Sequence, residues 1–293
     1  MSPAARSRTR KPADPDPKAP CAPRREPEGQ THSERSAWGR SIRDATSREV
    51  WSDWAPAADR PDPVDLLLSQ SATRVPDLVP IRHGRMLVSP FTFYRGGALV
   101  MAADLGRTPC AGIYVQTCGD AHLSNFGAFA TPERVMAFDI NDFDESHPAP
   151  FEWDVARLAA SIVIAADDIG FDRNIGRGLA QHAARRYREQ LRSLSEQTFL
   201  DVWYSKVDFE GRAEYARETY SKSDKKRAHK AVKKAQRKTN VGALDRLAER
   251  VDGEWRIKAD PPFIVPFART GATRRRLEGF FRQYLDTLPS DLM

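Results

Sequence analysis

The passage that most restricts what this chain can become is residues 113–145, IYVQTCGDAHLSNFGAFATPERVMAFDINDFDE. Ile113 to Cys118 alternates with β-branched residues and reads as a strand. Phe126 to Phe129 and Val135 to Ile140 read as two more, joined by the turn Thr131-Pro132-Glu133-Arg134. Between the first strand and the hairpin lies Gly119-Asp120-Ala121-His122-Leu123-Ser124-Asn125, and the hairpin runs straight into Asp139-Ile140-Asn141-Asp142-Phe143-Asp144-Glu145. A strand, loop and hairpin in this order put two acidic clusters at the mouths of adjacent strands.

Oxygen ligands gathered in that way suit magnesium, a hard cation held by one or two carboxylates with room left for phosphate oxygens. Asp120 stands five residues before Asn125, which allows a division of labour. The carboxylate accepts a proton from a substrate hydroxyl while the amide lends a neutral oxygen to the metal. Gly, Asp and Asn are also turn residues, and at strand ends they often satisfy only local backbone groups. The acid density weighs the other way: Asp139, Asp142, Asp144 and Glu145 repel one another unless a cation or arginines compensate. Upstream, Arg82, Arg85 and Arg95 lie among apolar and aromatic neighbours, where a guanidinium needs a partner. Either the acid cluster or a bound phosphate would serve.

Around this centre the chain reads as α+β and mostly helical. Residues 1–30 hold seven of the 21 prolines and no Leu, Ile, Val or aromatic residue, so a disordered tail is expected over residues 1–35, with one folded domain over 36–293. A helix is expected from Pro63 with Asp62 as its N-cap, and a second stretch from Met101 that Gly106 and Pro109 close. Asp154 to Ile169 is apolar round most of its circumference, as a buried helix is. Asn174 is a candidate cap for the next helix, in which Ile175, Leu179, Ala183 and Tyr187 recur at helical spacing. Lys222 to Lys238 and Gly242 to Val251 are helix-prone, and Arg274 to Leu288 is a last helix beyond the stop at Asp260-Pro261-Pro262. No run approaches the roughly 20 apolar residues of a membrane helix, and the N-terminus lacks a secretory h-region. Cys21, Cys110 and Cys118 form no CxxC pair, so no disulfide framework is expected and a reduced, cytoplasmic compartment fits. Cys118 has no activating base nearby in sequence and reads as a core thiol.

The order G-D-x-H-x-x-N, two short strands, then an acid before Phe resembles the catalytic core of the aminoglycoside-phosphotransferase branch of the protein-kinase-like fold. That resemblance implies Asp120 as base, Asn125 as a magnesium ligand and Asp142 as the principal ligand, with Mg2+ and ATP as cofactors. His122, Asp139 and Asp144 are then candidate supporting residues, and Asp154 in EWDVARLA resembles the acid that braces the catalytic loop. Longer words are similar to those of an uncharacterised bacterial family, domain of unknown function 2252 (DUF2252). They are RHGRM (82–86), SPFTFYRGG (89–97), CGDAHLSNFG (118–127), FDINDFDE (138–145), PFEWDVARLAAS (150–161), LDVWY (200–204) and DPPFIVP (260–266). The resemblance implies the larger lobe of a kinase-like fold, circularly permuted, because members continue into a GxGSxG turn and a strand with a Lys-Glu pair. This chain carries neither word, so an incomplete lobe is expected, with a complementing C-terminal fragment as a candidate partner. The implied function is phosphotransfer to an unidentified small-molecule or protein acceptor; a non-catalytic binding protein is the alternative.

A metal-dependent phosphoesterase also uses a GDxH word, but it needs a Gly-Asn-His word downstream, and none of His32, His83, His122, His147, His182 or His229 sits in one. The net charge of +6 is concentrated in Lys222–Lys238, where nine Lys and Arg face Asp224 alone. That run holds no aromatic residue for base stacking, so it reads as a solvated face and nucleic acid is not the expected partner.

Overall fold

The computed structural model describes residues 21–24, 31–52, 54–131, 136–205, 247–265 and 271–287. They belong to two compact units that divide between residues 221 and 222. Among the described residues the chain is α+β and mostly helical, with nine helices and three two-stranded antiparallel sheets.

In the first unit, α1 (His32–Ala45) starts at a capping box in which Thr31 and Glu34 serve each other's backbone N–H groups. In α2 (Pro63–Ser71) the Asp62 carboxylate accepts from Val64 N and Asp65 N, with Pro63 in the first turn as expected. Three short helices follow, α3 (Val79–Met86), α4 (Pro90–Arg95) and α5 (Ala98–Leu105). Then come β1 (Tyr114–Thr117), β2 (Phe126–Ala130), β3 (Met136–Ile140) and β4 (His147–Pro150). β2 and β3 form the expected hairpin, in register from Phe126↔Ile140 to Ala130↔Met136. β4 is not anticipated by the sequence, yet it pairs with β1 from Tyr114↔Pro150 to Thr117↔His147. Pro148 and Pro150 are two residues apart, so both missing donors fall on one edge, away from the bonds that Phe151 N donates to Ile113 O and its alternate neighbours continue.

α6 (Glu152–Asp168) and α7 (Arg173–Ser195) pack as an antiparallel pair. Their link is a Schellman cap: Gly170 at φ +81° lets Gly170 N and Phe171 N donate to Asp167 O and Ala166 O. The cap of α7 is Asp172 rather than Asn174; its carboxylate accepts from Asn174 N at 2.7 Å, two residues earlier than expected. At Gly176 the helices touch closely enough that a Cβ would stand 3.1 Å from Ala166 Cβ. α8 (Phe199–Tyr204) ends the described part of this unit. Its core gathers against α6, where Ser161 is wholly buried, donating to Leu158 O and accepting from Leu123 N.

Two expectations about the N-terminal tail are corrected. Residues 31–35 belong to or cap α1, and residues 21–24 dock on the domain instead of hanging free. Arg24 N donates to Gly112 O, Arg24 Nε to Ala111 O, and the Tyr114 hydroxyl to Cys21 O. Cys21 and Cys110, both buried, form a disulfide, so the cysteine reading is also corrected and the cytoplasmic expectation loses that part of its argument. Spacing could not reveal a bridge 89 residues long between a proline-rich tail and a strand entrance. No helix among the described residues is long and apolar enough to cross a membrane.

The second unit contains β5 (Ala248–Val251), β6 (Glu254–Ile257) and α9 (Gly271–Leu285). The helix expected to run to Val251 is therefore a strand at its end. Asp252 at φ +54° and Gly253 at φ +83° turn it back on β6, a two-residue turn that suits hairpin twist. The basic run 222–238 lies outside the described residues.

Candidate active site

The loop after β1 is built around one carboxylate. Asp154, in the first turn of α6, accepts from Cys118 N at 2.7 Å and from Gly119 N at 3.1 Å. Gly119 has φ +82°, and a Cβ there would stand 2.0 Å from the Glu145 carbonyl oxygen. The loop and the acidic segment thus meet where only glycine fits. His122, buried, accepts from Ser124 N through Nδ1 and caps the 3₁₀ turn Leu123–Asn125. Asn125 Nδ2 donates to Asp120 O at 2.7 Å, leaving the amide oxygen as the atom it can lend to a cation. Asn141 N donates to Asn125 O, and the Cys118 thiol to Asp142 O, so the acidic segment is bonded to both ends of the loop.

Asp120, Asp142, Asp144 and Glu145 open onto one cavity of about 540 Å³, which Gln70, Thr73 and Arg74 complete. Burial raises the Glu145 carboxyl above the usual carboxylate range, helped by the Asp120 charge, while Arg157, Arg74 and Arg82 pull it back. Arg82 donates through Nη2 to Gly96 O at 2.9 Å and to Gln70 Oε1 at 3.3 Å. Its Nη1 is buried without a hydrogen-bond partner. Burial, then the neighbouring Arg74, lowers its pKa, and the charges of Glu145 and Asp120 oppose that.

Asp120 is itself held. Arg157, 2% exposed on α6, donates through Nε to Asp120 Oδ1 at 2.5 Å and through Nη2 to Tyr94 O at 2.9 Å. Its guanidinium lies over the Tyr94 ring, 4.5 Å from the centroid. The Tyr94 hydroxyl returns a bond to Arg157 O, and burial pushes its pKa up to about 12. His122 Nε2 stands 3.6 Å from Asp120 Oδ2. Burial lowers the His122 pKa, against the attraction of Asp120 and with the help of Arg157 and Arg95. Burial pushes the Cys118 thiol up to about 11, which keeps it a neutral core group.

Of the residues singled out in the sequence, Asp120, Asp142 and Asp144 share the cavity, with Asn125 bonded to Asp120 and Asp154 beneath the loop. Asp139 is not brought in: it pairs opposite Gly127 in the hairpin, is exposed, and accepts from Ile140 N. Arg85 and Arg95 are exposed on α3 and α4 and do not line the cavity. Sequence reasoning missed Arg157, Arg74, Gln70 and Thr73. Arg157 had a usable signal, being the one cation in the apolar stretch Asp154–Ile169, where a charge must find a partner.

Among the described residues no three His, Cys, Asp or Glu side chains stand together as a metal cage. Magnesium does not require one, since it takes one or two carboxylates and fills its shell with phosphate and water oxygens. The Asp142 carboxylate and the Asn125 amide oxygen are oxygen donors of the kind that magnesium takes. Fold and site together define an α+β protein whose acidic cavity is faced by arginine. Residues 74–293 match the family described as "Uncharacterized protein conserved in bacteria (DUF2252)", well over half of the chain, and the protein belongs to that family. No curated protein and no solved structure matches it.

Proposed function

We propose that the protein is a kinase-like phosphotransferase that uses magnesium-ATP and acts on an unidentified small-molecule or protein acceptor. The observation that carries this reading is the mixed charge of one cavity, in which Asp120, Asp142, Asp144 and Glu145 stand with Arg74. Such a lining can hold a hard cation and phosphate oxygens at once. Asp142 and Asn125 would hold magnesium, whose positive charge offsets that of the phosphates. Arg74 would take phosphate oxygens directly. Asp120 would accept the acceptor's proton on Oδ2, since Oδ1 is the oxygen bonded to Arg157.

Calorimetric titration with ATP, with and without magnesium, tests this alongside a coupled assay of ATP consumption. Asp142→Ala is expected to abolish magnesium-dependent nucleotide binding, because the charged ligand is gone. Asp120→Asn is expected to bind nearly as the wild type does and to turn over at least 100-fold more slowly. Unchanged magnesium dependence in the first variant, or full turnover in the second, overturns the assignment. The part-buried Asp120–Arg157 pair favours a second reading, a non-catalytic nucleotide-binding protein, in which Asp120 only braces the loop. Wild-type protein that binds magnesium-ATP and never consumes it would select that reading.

A further inference from the structure

A second cavity, of about 410 Å³, lies among α4, α5, α6 and the segment before α2. Its walls carry four aromatic rings, those of Trp51, Trp54, Phe93 and Tyr94. Three small residues, Gly97, Ala156 and Ala160, share the lining. A Cβ at Gly97 would meet nothing closer than 3.5 Å, so the space there is not forced by backbone crowding. Rings beside small side chains leave a hollow of the size that small-molecule sites have, about 300–1,000 Å³.

Three of the four polar side chains that line it are spent inside the protein. Asp104 is bonded through both oxygens to Arg60, at 2.7 and 2.8 Å. The Trp51 indole N–H donates to Pro109 O, and the Tyr94 hydroxyl to Arg157 O. An anionic ligand would find no Lys or Arg in the lining and would face the Asp104 carboxylate, whose partner Arg60 is already spent. An uncharged ring system would exchange water for aromatic faces and leave none of those three groups stranded.

We infer that this cavity is a binding site for a compact, uncharged aromatic molecule. The site is separate from the acidic cavity, and the inference does not depend on phosphotransfer. Two of its lining residues tie it to that cavity: the Tyr94 ring lies under Arg157, which holds Asp120, and Arg157 Nη1 donates to Met101 Sδ.

The test uses N-phenyl-1-naphthylamine, a neutral probe that brightens in apolar surroundings, titrated into the full chain. Saturable binding to the wild type is expected, at least tenfold weaker in Ala160→Leu, whose larger side chain takes up space in the lining. Phe280→Ser, on the 72% exposed ring of α9, is expected to leave affinity unchanged. A naphthyl probe carrying a sulfonate, 1-anilinonaphthalene-8-sulfonate, is expected to bind at least tenfold more weakly than the neutral one. Absence of saturable binding, an unaltered affinity in Ala160→Leu, loss in Phe280→Ser, or equal affinity for the charged probe would each overturn the inference. If Ala160→Leu does not melt cooperatively, Trp54→Ala replaces it, since Trp54 is half exposed and its loss removes a wall without loading the core.

Discussion

Gly119 joins two demands, a positive φ and a backbone carbonyl 2.0 Å from where a Cβ would be. Gly119→Ala should therefore cost about 1–3 kcal/mol in dihedral strain and about 1–3 kcal/mol more in overpacking. Urea unfolding of the variant beside the wild type measures the sum, and a loss under about 1 kcal/mol would contradict the geometry. His122 makes a prediction in pH. Its pKa is lowered from 6.5 by burial, so below that value the unfolded chain takes up a proton that the folded chain resists. Stability from this residue is present above the ordinary histidine range and is lost as pH falls through it. His122→Asn keeps an acceptor for Ser124 N, and its unfolding midpoint should fall less steeply than the wild type's between pH 7 and 5. At this scale the sequence was informative about Asp120, Asp142 and Asp144, which fall within the one strand, loop and hairpin passage 113–145. It was silent about Arg157 as a partner, because a contact over 37 residues leaves no local trace.

At the scale of elements, α6 and α7 can be tested with two glycines. Gly176 faces Ala166 and Val163 at 3.1–3.5 Å, whereas a Cβ at Gly178 meets nothing within 4 Å. Gly176→Leu should destabilise by about 1–3 kcal/mol through overpacking. Gly178→Ala should stabilise by about 0.5–1 kcal/mol by removing backbone entropy from a helix interior. Thermal melts of the two variants should move in opposite directions. The hairpin β2–β3 and the buried helix α6 were legible because periodicity is a local property. β4 was hidden by its two prolines, which argue against a strand unless both face away from the ladder. β5 was mistaken for helix because Ala, Leu, Arg and Glu favour helices, although Asp252-Gly253 was a hairpin turn in plain view.

Over the whole molecule the charge is divided. Residues 222–293 hold 18 Lys and Arg against 9 Asp and Glu, a net +9, which leaves −3 for residues 1–221 of a +6 chain. The basic character thus belongs to the unit without the acidic cavity, and the cavity sits in the acidic one. The disulfide acts at this scale too. In the chain-entropy account a closed loop of about 90 residues stabilises by about 4–5 kcal/mol. Unfolding of the first unit should accordingly come at lower urea after reduction, and a Cys21→Ser variant should match the reduced wild type. An unchanged midpoint would mean that residues 21–24 hold on by hydrogen bonds alone.

The bond between Cys21 and Cys110 makes the first third of the protein a covalent ring. A ring does not come apart at one break. Hydrolysis of any single peptide bond between the two cysteines would yield one species on a non-reducing gel and two after reduction. The segment that carries Trp51, Trp54, Gln70 and Arg74 could therefore be nicked and still remain tethered to the cavities it helps to wall.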